Sequence, residues 1–194
     1  MHLSKSECAR FYLIFDALIS FVNLKLSIVQ GMSFPVDCLE DLEDVGKVRN
    51  ALWSDDALID EFVSNNPSGL SLSDLELAKS WKHRVGGVFI VERHLKKHSI
   101  FIGEDDKVYG VEGLVTPLPV LIPNVPTFLK TFLIPFEDRI IYDGLVNSYP
   151  ITFGRNSRGG FKDTYVRAKK ANQIIDSFAY PPLSKAKPKR LALV

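Results

Sequence analysis

Cysteine is nearly absent from this chain, which has only Cys8 and Cys38 among 194 residues and no Cys-x-x-Cys pair. A disulfide-stabilised scaffold is not expected, because it needs more cysteines than this. We predict two buried thiols in a reducing compartment. A single bridge between the two cysteines is the alternative.

Long uninterrupted apolar runs are also missing. The most apolar stretch, residues 11–29, contains Asp16, Asn23 and Lys25. A charged residue at the bilayer centre costs about 2.5 to 3.5 kcal/mol, so this stretch is unsuited to a membrane. It also lacks the cleavage site of a signal peptide. We predict a core helix, no membrane partner and a cytoplasmic location.

Motifs for catalysis are lacking as well. No Gly-x-Ser-x-Gly sequence occurs. Segment 154–160 is not a phosphate-binding P-loop, because Gly160 and Phe161 stand where Lys and Ser or Thr are required. The acidic groups at 104–106 and 137–138 look like polar turns, and the first lacks the alternating oxygen ligands of a calcium loop. No catalytic residue is predicted.

Metal ligands and cofactor motifs are not evident either. His94 and His98 are four residues apart, a spacing that suits zinc on a helix. They flank a predicted turn between strands, however, and no Glu or Cys accompanies them. We therefore predict structural histidines, and neither a metal nor a cofactor.

Charge is abundant but unevenly divided. Residues 1–80 contain 6 Lys+Arg and 13 Asp+Glu, whereas residues 81–194 contain 18 and 10. This asymmetry favours an anionic partner for the rear half, either a nucleic acid or an acidic protein. In a structural alternative the two halves attract each other, through front-half carboxylates such as Glu40, Asp41, Glu43 and Asp44.

Helix start signals are frequent in the front half. Glu7 follows Ser4 by three residues, and the same spacing recurs at Asp37–Glu40 and Ser73–Glu76, as in a capping box. We predict four helices with approximate bounds 5–29, 38–52, 55–63 and 74–83.

From Val85 onward, β-branched and aromatic residues predominate. We predict strands at 85–91, 99–102, 108–115, 139–142 and 150–153, with a hairpin turn at 103–107. Segment 127–134 suits a helix or a strand, and we assign it to an edge strand because Pro135 closes it. A last amphipathic helix has one apolar face, formed by Phe161, Tyr165, Ala168, Ile175 and Phe178.

Helices followed by strands predict an α+β protein. N-terminal helices pack on an antiparallel sheet that a C-terminal helix closes, and closure of the sheet into a barrel is an open alternative. We predict one domain over residues 1–194. It comprises a helical part (1–83), a sheet with the C-terminal helix (84–180) and a basic tail (181–194).

The glycine-rich segment 154–160 is the first candidate binding site. It lies between a predicted strand and the last helix, where free backbone N–H groups and the helix dipole attract anions. The candidate anion ligands are Arg155, Ser157, Arg158, Gly159, Gly160 and Lys162. A solvated turn is the simpler alternative.

A basic surface near Trp81 is the second candidate. Its members are Lys82, Arg84, Arg93, Lys96 and Lys97. Cations beside an aromatic ring suit contact with a phosphate backbone, although no signature of a nucleic-acid-binding fold accompanies them. A solvated turn beside a buried Trp is the alternative.

Residues 133–136 and 139–144, followed by 151–154 and by Tyr165, resemble a segment of an uncharacterised family of prokaryotic proteins. The resemblance spans about residues 81–178. It implies a prokaryotic origin and no activity, because no activity is established for that family.

These features favour a non-catalytic binding or regulatory module whose basic rear half contacts an anionic partner such as nucleic acid. Two alternatives stay open. One is a protein-interaction component that uses the acidic helical half. The other is a phosphate-handling enzyme built around Asp143 and segment 154–160. The sequence does not define the oligomeric state.

Overall fold

The computed structural model describes residues 2–31, 42–149 and 154–178. The helices there are α1 (Lys5–Leu26), α2 (Leu42–Ser54), α3 (Asp56–Asn65), α4 (Leu72–Ser80), α5 (Leu118–Leu121) and α6 (Arg155–Lys170). The strands are β1 (Val85–His94), β2 (Ser99–Ile102), β3 (Val108–Glu112), β4 (Thr127–Phe136), β5 (Arg139–Tyr142), β6 (Asn147–Tyr149) and β7 (Ile174–Ile175). The predicted α+β class is confirmed.

Helix α1 begins at the predicted capping box. The Ser4 side chain accepts from the backbone N–H of Glu7, and the Glu7 carboxylate accepts from the Ser4 N–H at 2.7 Å. Helix α4 is different, because its cap is Ser71 rather than Ser73. The predicted cap Asp37–Glu40 lies outside the described residues.

One apolar side of α1 lies in the core. Its buried residues recur at helical spacing and include Phe11, Ile14, Phe15, Leu18, Ile19 and Val22. This agrees with the predicted core helix. Across the described ranges, no helix is both long enough and apolar enough to span a bilayer.

Trp81 joins the helices to the sheet. It lies in a 3-10 turn, Trp81–His83, between α4 and β1, and is fully buried. Its ring centroid is 5.7 Å from that of Phe11, and its Nε1 donates to the Pro135 carbonyl oxygen at 3.0 Å. Residues of α1–α4 and of the sheet therefore share one apolar cluster.

Five strands pair in a closed cycle, β1-β2-β3-β5-β4, because β1 also pairs with β4. Neighbouring strands in this cycle are antiparallel, as predicted, except for the parallel pair β3–β5. One such pair is unavoidable, since strand directions cannot alternate all the way around a cycle of five. With β7 also parallel to β3, the sheet is mixed.

Segment 127–134 is a strand, as predicted, but not an edge strand. It forms most of β4, which pairs with β1, β5 and β6. Pro135 is tolerated in β4 because it lies beyond the pairing with β1, which ends at Leu133. The predicted strand 150–153 lies outside the described residues, and β6 ends just before it.

Helix α6 differs from the prediction at both ends. It begins at Arg155 with Gly154 as its N-cap, so residues 155–160 are helical rather than a loop. It ends at Lys170, and the chain then turns through Asn172, whose φ is 52°. The β-branched residues that follow form β7 beside β3, so Ile175 and Phe178 do not belong to the helix.

Replacing Gly160 by Ala tests the helical state of segment 154–160. A Cβ at Gly160 would meet no atom within 4 Å. Alanine is favoured over glycine in a helix, so we expect the free energy of unfolding to rise by about 1 kcal/mol. Urea denaturation measures this change.

The matched control is Gly113→Ala. A Cβ at Gly113 would lie 2.6 Å from the Thr116 carbonyl oxygen, so this variant should be less stable than the wild type. An unchanged or lower stability of Gly160→Ala would contradict the helical assignment.

Candidate anion-binding surface

Helix α6 presents an apolar side to the sheet and a basic side to solvent. Tyr165 and Ala168 are buried against Ile100, Ile102 and Val108. The exposed cations of α6 are Arg158, Lys162, Arg167, Lys169 and Lys170, and Asp163 is the only acid in the helix. The helix therefore adds a dense positive charge to the surface of the sheet.

The turn between β1 and β2 extends this positive surface. Leu95 packs against the apolar cluster that holds Tyr165, so the turn lies beside α6. Lys96 and Lys97 follow Leu95 and are exposed. We call the exposed cations of α6 together with Lys96 and Lys97 the α6 face.

Most cations of the α6 face have no acidic partner. In the part of the chain that the structure describes, Arg167 is the member that forms an ion pair, at 4.0 Å from Asp106. Lys169 instead has its Nζ 5.9 Å from the centroid of the Tyr165 ring. Exposed cations without carboxylates keep their attraction for external anions.

The first candidate site lies in the first turns of α6 rather than in the predicted loop, and anion binding by its residues stays a prediction. Gly159 and Gly160 lie within α6, where the Arg158 N–H already donates to the Gly154 carbonyl at 3.2 Å. Backbone donors from Arg158 onward are therefore used inside the helix. Arg158 and Lys162 belong to the α6 face, whereas the side chains of Arg155 and Ser157 are outside the description.

The second candidate, the basic surface near Trp81, divides into two groups. Lys82 Nζ lies 2.6 Å from an Asp60 oxygen, and Arg84 Nη1 lies 2.6 Å from an Asp56 oxygen. Both cations are thus neutralised by α3. Lys96 and Lys97 instead contribute to the α6 face.

Arg93, the remaining member of that candidate set, lies beneath α6. Its guanidinium pairs with the adjacent Glu92, and its Cζ is 4.3 Å from the centroid of the Tyr165 ring. Arg93 therefore fastens α6 to β1 by a cation–π contact and is not an available phosphate ligand.

Attraction between the halves occurs, but through residues that the sequence did not single out. Asp56 and Asp60 bind rear-half cations, as described above, and Glu7 binds Arg139. Of the predicted acids, Asp44 and Glu43 pair with Lys47 of their own helix. Glu40 and Asp41 lie outside the described residues.

Glu7 both caps α1 and forms an ion pair with Arg139 of the rear half. The backbone N–H of Ser4 and, next, the hydrogen bond from Arg139 lower the pKa of Glu7 to about 2. Hydrogen bonds to the ionised form account for this direction. Glu7 therefore contributes stability when it is ionised.

Asp143 is the most deeply buried charge in the described chain. Its carboxylate accepts from Arg49 Nη1 at 3.1 Å, Trp53 Nε1 at 2.8 Å and Thr131 Oγ1 at 3.3 Å. Burial raises the pKa of Asp143, against the opposing effect of the Arg49 charge. Asp143 is fully buried, so it does not face an external substrate.

The sequence pattern of α2 indicates that Arg49, the partner of Asp143, is buried, and this feature was not predicted. Arg49 lies four residues after Val45 and four before Trp53, all on the buried side of α2. A cation at an apolar position of an amphipathic helix indicates a buried acid opposite.

His94 is held by two hydrogen bonds. His94 Nδ1 lies 2.7 Å from Ser99 Oγ, and Nε2 lies 2.8 Å from the Ile122 carbonyl oxygen. Burial lowers the pKa of His98. The described ranges contain no group of three or more His, Cys, Asp or Glu arranged to hold a metal.

Comparisons with known proteins assign no family. No family model matches the chain, and neither a curated protein nor a solved structure shows significant similarity to it. The resemblance of residues 81–178 to a prokaryotic family therefore stays a prediction.

Removing Arg49 tests the buried ion pair. In Arg49→Met the Asp143 carboxylate stays buried without its cation, and we expect the free energy of unfolding to fall by about 3 to 5 kcal/mol. The double variant Arg49→Met/Asp143→Asn should be more stable than Arg49→Met, because no charge is left unpaired. Chemical denaturation measures both.

Lys47→Met is the matched control, because Lys47 forms only exposed pairs in the same helix. Its expected cost is about 0 to 1 kcal/mol. Equal costs for Arg49→Met and Lys47→Met would show that burial of the pair has no energetic consequence.

Glu7→Gln tests the capping charge through its pH dependence. The folded-state pKa of Glu7 lies below its ordinary value of 4.5, so its contribution is present above that pH and is lost as pH falls towards about 2. We expect Glu7→Gln to cost about 1 kcal/mol at neutral pH and almost nothing near pH 2.

Thermal denaturation of both proteins across this pH range gives the difference. Glu76→Gln, which alters an exposed carboxylate of α4, should change stability by less than about 0.5 kcal/mol throughout. If the loss of stability in Glu7→Gln does not vary with pH, the stabilising role of the ionised Glu7 carboxylate is disproved.

Proposed function

We propose that the protein is a non-catalytic binding module whose α6 face contacts the phosphate backbone of a nucleic acid. One observation carries the proposal. Among the residues that the structure describes, Lys82, Arg84 and Arg139 pair with front-half carboxylates, whereas most cations of the α6 face pair with no acid. Much of the positive charge of the rear half that the structure describes therefore lies on the α6 face.

The clustered positive charges of the α6 face are suited to binding phosphate groups. A polyanion releases condensed counterions when cations neutralise its phosphates, so affinity falls steeply with salt. Lys162, Lys169 and Lys170 are exposed and have long, mobile side chains that can follow a backbone. Binding through such contacts positions a strand and does not select a sequence.

The strand order supports a nucleic-acid partner by analogy alone. The closed cycle β1-β2-β3-β5-β4 resembles the OB fold, a five-stranded architecture whose β2–β3 face binds oligonucleotides and oligosaccharides. In this protein α6 packs against residues of β2 and β3. The proposal therefore uses the outer side of α6 rather than the strands, and fold analogy does not assign function.

The two alternative functions have less support. The α3 acids Asp56, Asp60 and Glu61 are already paired with cations, which leaves less negative charge for a protein partner. A phosphate-handling enzyme would need Asp143 at a groove, whereas Asp143 is enclosed.

We expect this binding to occur in the cytoplasm. The buried, free thiol of Cys8 is compatible with a reducing compartment.

Three lysines of the α6 face provide the test. In Lys162→Gln/Lys169→Gln/Lys170→Gln, we expect at least a tenfold lower affinity for a fluorescent mixed-sequence oligonucleotide at low salt. The slope of log affinity against log salt should become shallower by about 2 to 3, because each lost phosphate contact contributes about 0.9. Fluorescence anisotropy measures both quantities.

The control variant Lys25→Gln/Lys47→Gln/Lys82→Gln removes the same charge from lysines that are paired with carboxylates. Its affinity should stay within about threefold of the wild type, since its lysines contact no phosphate. The proposal fails if the wild type does not bind at low salt, or if the two triple variants lose affinity equally.

A further inference from the structure

A groove of about 690 Å³ lies at the beginning of the α6 face. The segment between α5 and β4 lines it, including Asn124, and so do Ser148 and Tyr149 of β6 and Arg158 of α6. Its volume falls within the range of about 300 to 1,000 Å³ found for small-ligand sites.

The groove combines an aromatic ring, a cation and small polar groups. Tyr149 is 39% exposed, and Arg158 is exposed as well. Asn124 and Ser148 provide neutral hydrogen-bonding groups. A planar, partly apolar ligand that carries negative charge has the complementary chemistry.

Arg158 also connects the groove to the rest of the α6 face. Lys162 follows it by four residues and Lys169 by a further seven, and both spacings return to the same side of a helix. From Arg158 to Lys169 this row of cations spans about 17 Å along the helix axis. A strand with its base in the groove can therefore continue along the row with its phosphates.

We propose that the groove holds an unpaired base of a single-stranded nucleic acid, stacked on Tyr149, with Arg158 at its phosphate. This inference rests on the proposed function and names its substrate class. Every base has a face that stacks on an aromatic ring, whereas in a duplex these faces are covered by neighbouring bases. The groove thus favours single strands, while the α6 lysines contact phosphates of either form.

Tyr149→Ala is the decisive variant. Loss of one stacked base should weaken binding of a single-stranded oligonucleotide by about 5- to 150-fold and leave binding of a duplex within about twofold. Tyr149→Phe keeps the ring and should bind single strands as the wild type does. Tyr12→Ala removes a tyrosine that is equally exposed, at 39%, but lies on α1, and should have no effect.

Tyr149→Trp gives a second readout that does not depend on loss of binding. Stacking on a base should quench the fluorescence of the new indole when a single strand is added, beyond any change in the wild type. Circular dichroism of each variant verifies that it is folded.

Either of two results would overturn the inference. They are unchanged single-strand affinity in Tyr149→Ala, or equal losses of affinity for duplex and single strand in that variant. If these results appear while the triple lysine variant still loses affinity, the proposed function stands and the groove assignment alone fails. Absence of any nucleic-acid binding by the wild type would remove both.

Discussion

The buried carboxylate of Asp143 constrains how the two halves of the chain fit together. A buried charge is tolerated only with a counter-charge and hydrogen bonds, and Arg49 and Trp53 of α2 provide both. Thr131 of β4 completes the set from the sheet side. These contacts hold α2 in the position in which both donors reach the carboxylate. The apolar cluster, which includes Trp81, adds stability around this buried ion pair.

The position of the helices against the sheet also determines which charged side chains form ion pairs. With the helices held against β4 and β5, the acids Asp56 and Asp60 meet Lys82 and Arg84, and Glu7 meets Arg139. Helix α6 packs on the other strands, β1 to β3, and its cations are left facing solvent. The uneven distribution of charge in the sequence thus has two structural outcomes. Some of the charged residues form ion pairs between the two halves, and other cations form the α6 face.

Local signals predicted most elements. The box at Ser4 and the β-branched runs at 99–102 and 139–142 depend on neighbouring residues alone, and their bounds agree with the structure. Features that depend on distant contacts were missed, because one sequence does not show which strand lies beside which. The strand order and the carboxylate partners of Lys82 and Arg84 belong to this kind, whereas closure of the sheet was left open as an alternative. The glycines of segment 154–160 suggested a loop, whereas residues 155–160 form the first turns of α6, which packs on the sheet through Tyr165.

The central claim is that, in the described ranges, the α6 lysines have no acidic partner and can bind a polyanion, whereas Lys25 and Lys82 are paired with carboxylates. Mass-spectrometric footprinting of lysine acetylation tests it most directly, with and without an oligonucleotide. The account predicts rapid modification of Lys162, Lys169 and Lys170 in the free protein and strong protection of these three by the oligonucleotide. Lys25 and Lys82, which are bound to Glu61 and Asp60, should react slowly in both states. Protection at Lys25 and Lys82 instead, or protection nowhere, would contradict the account.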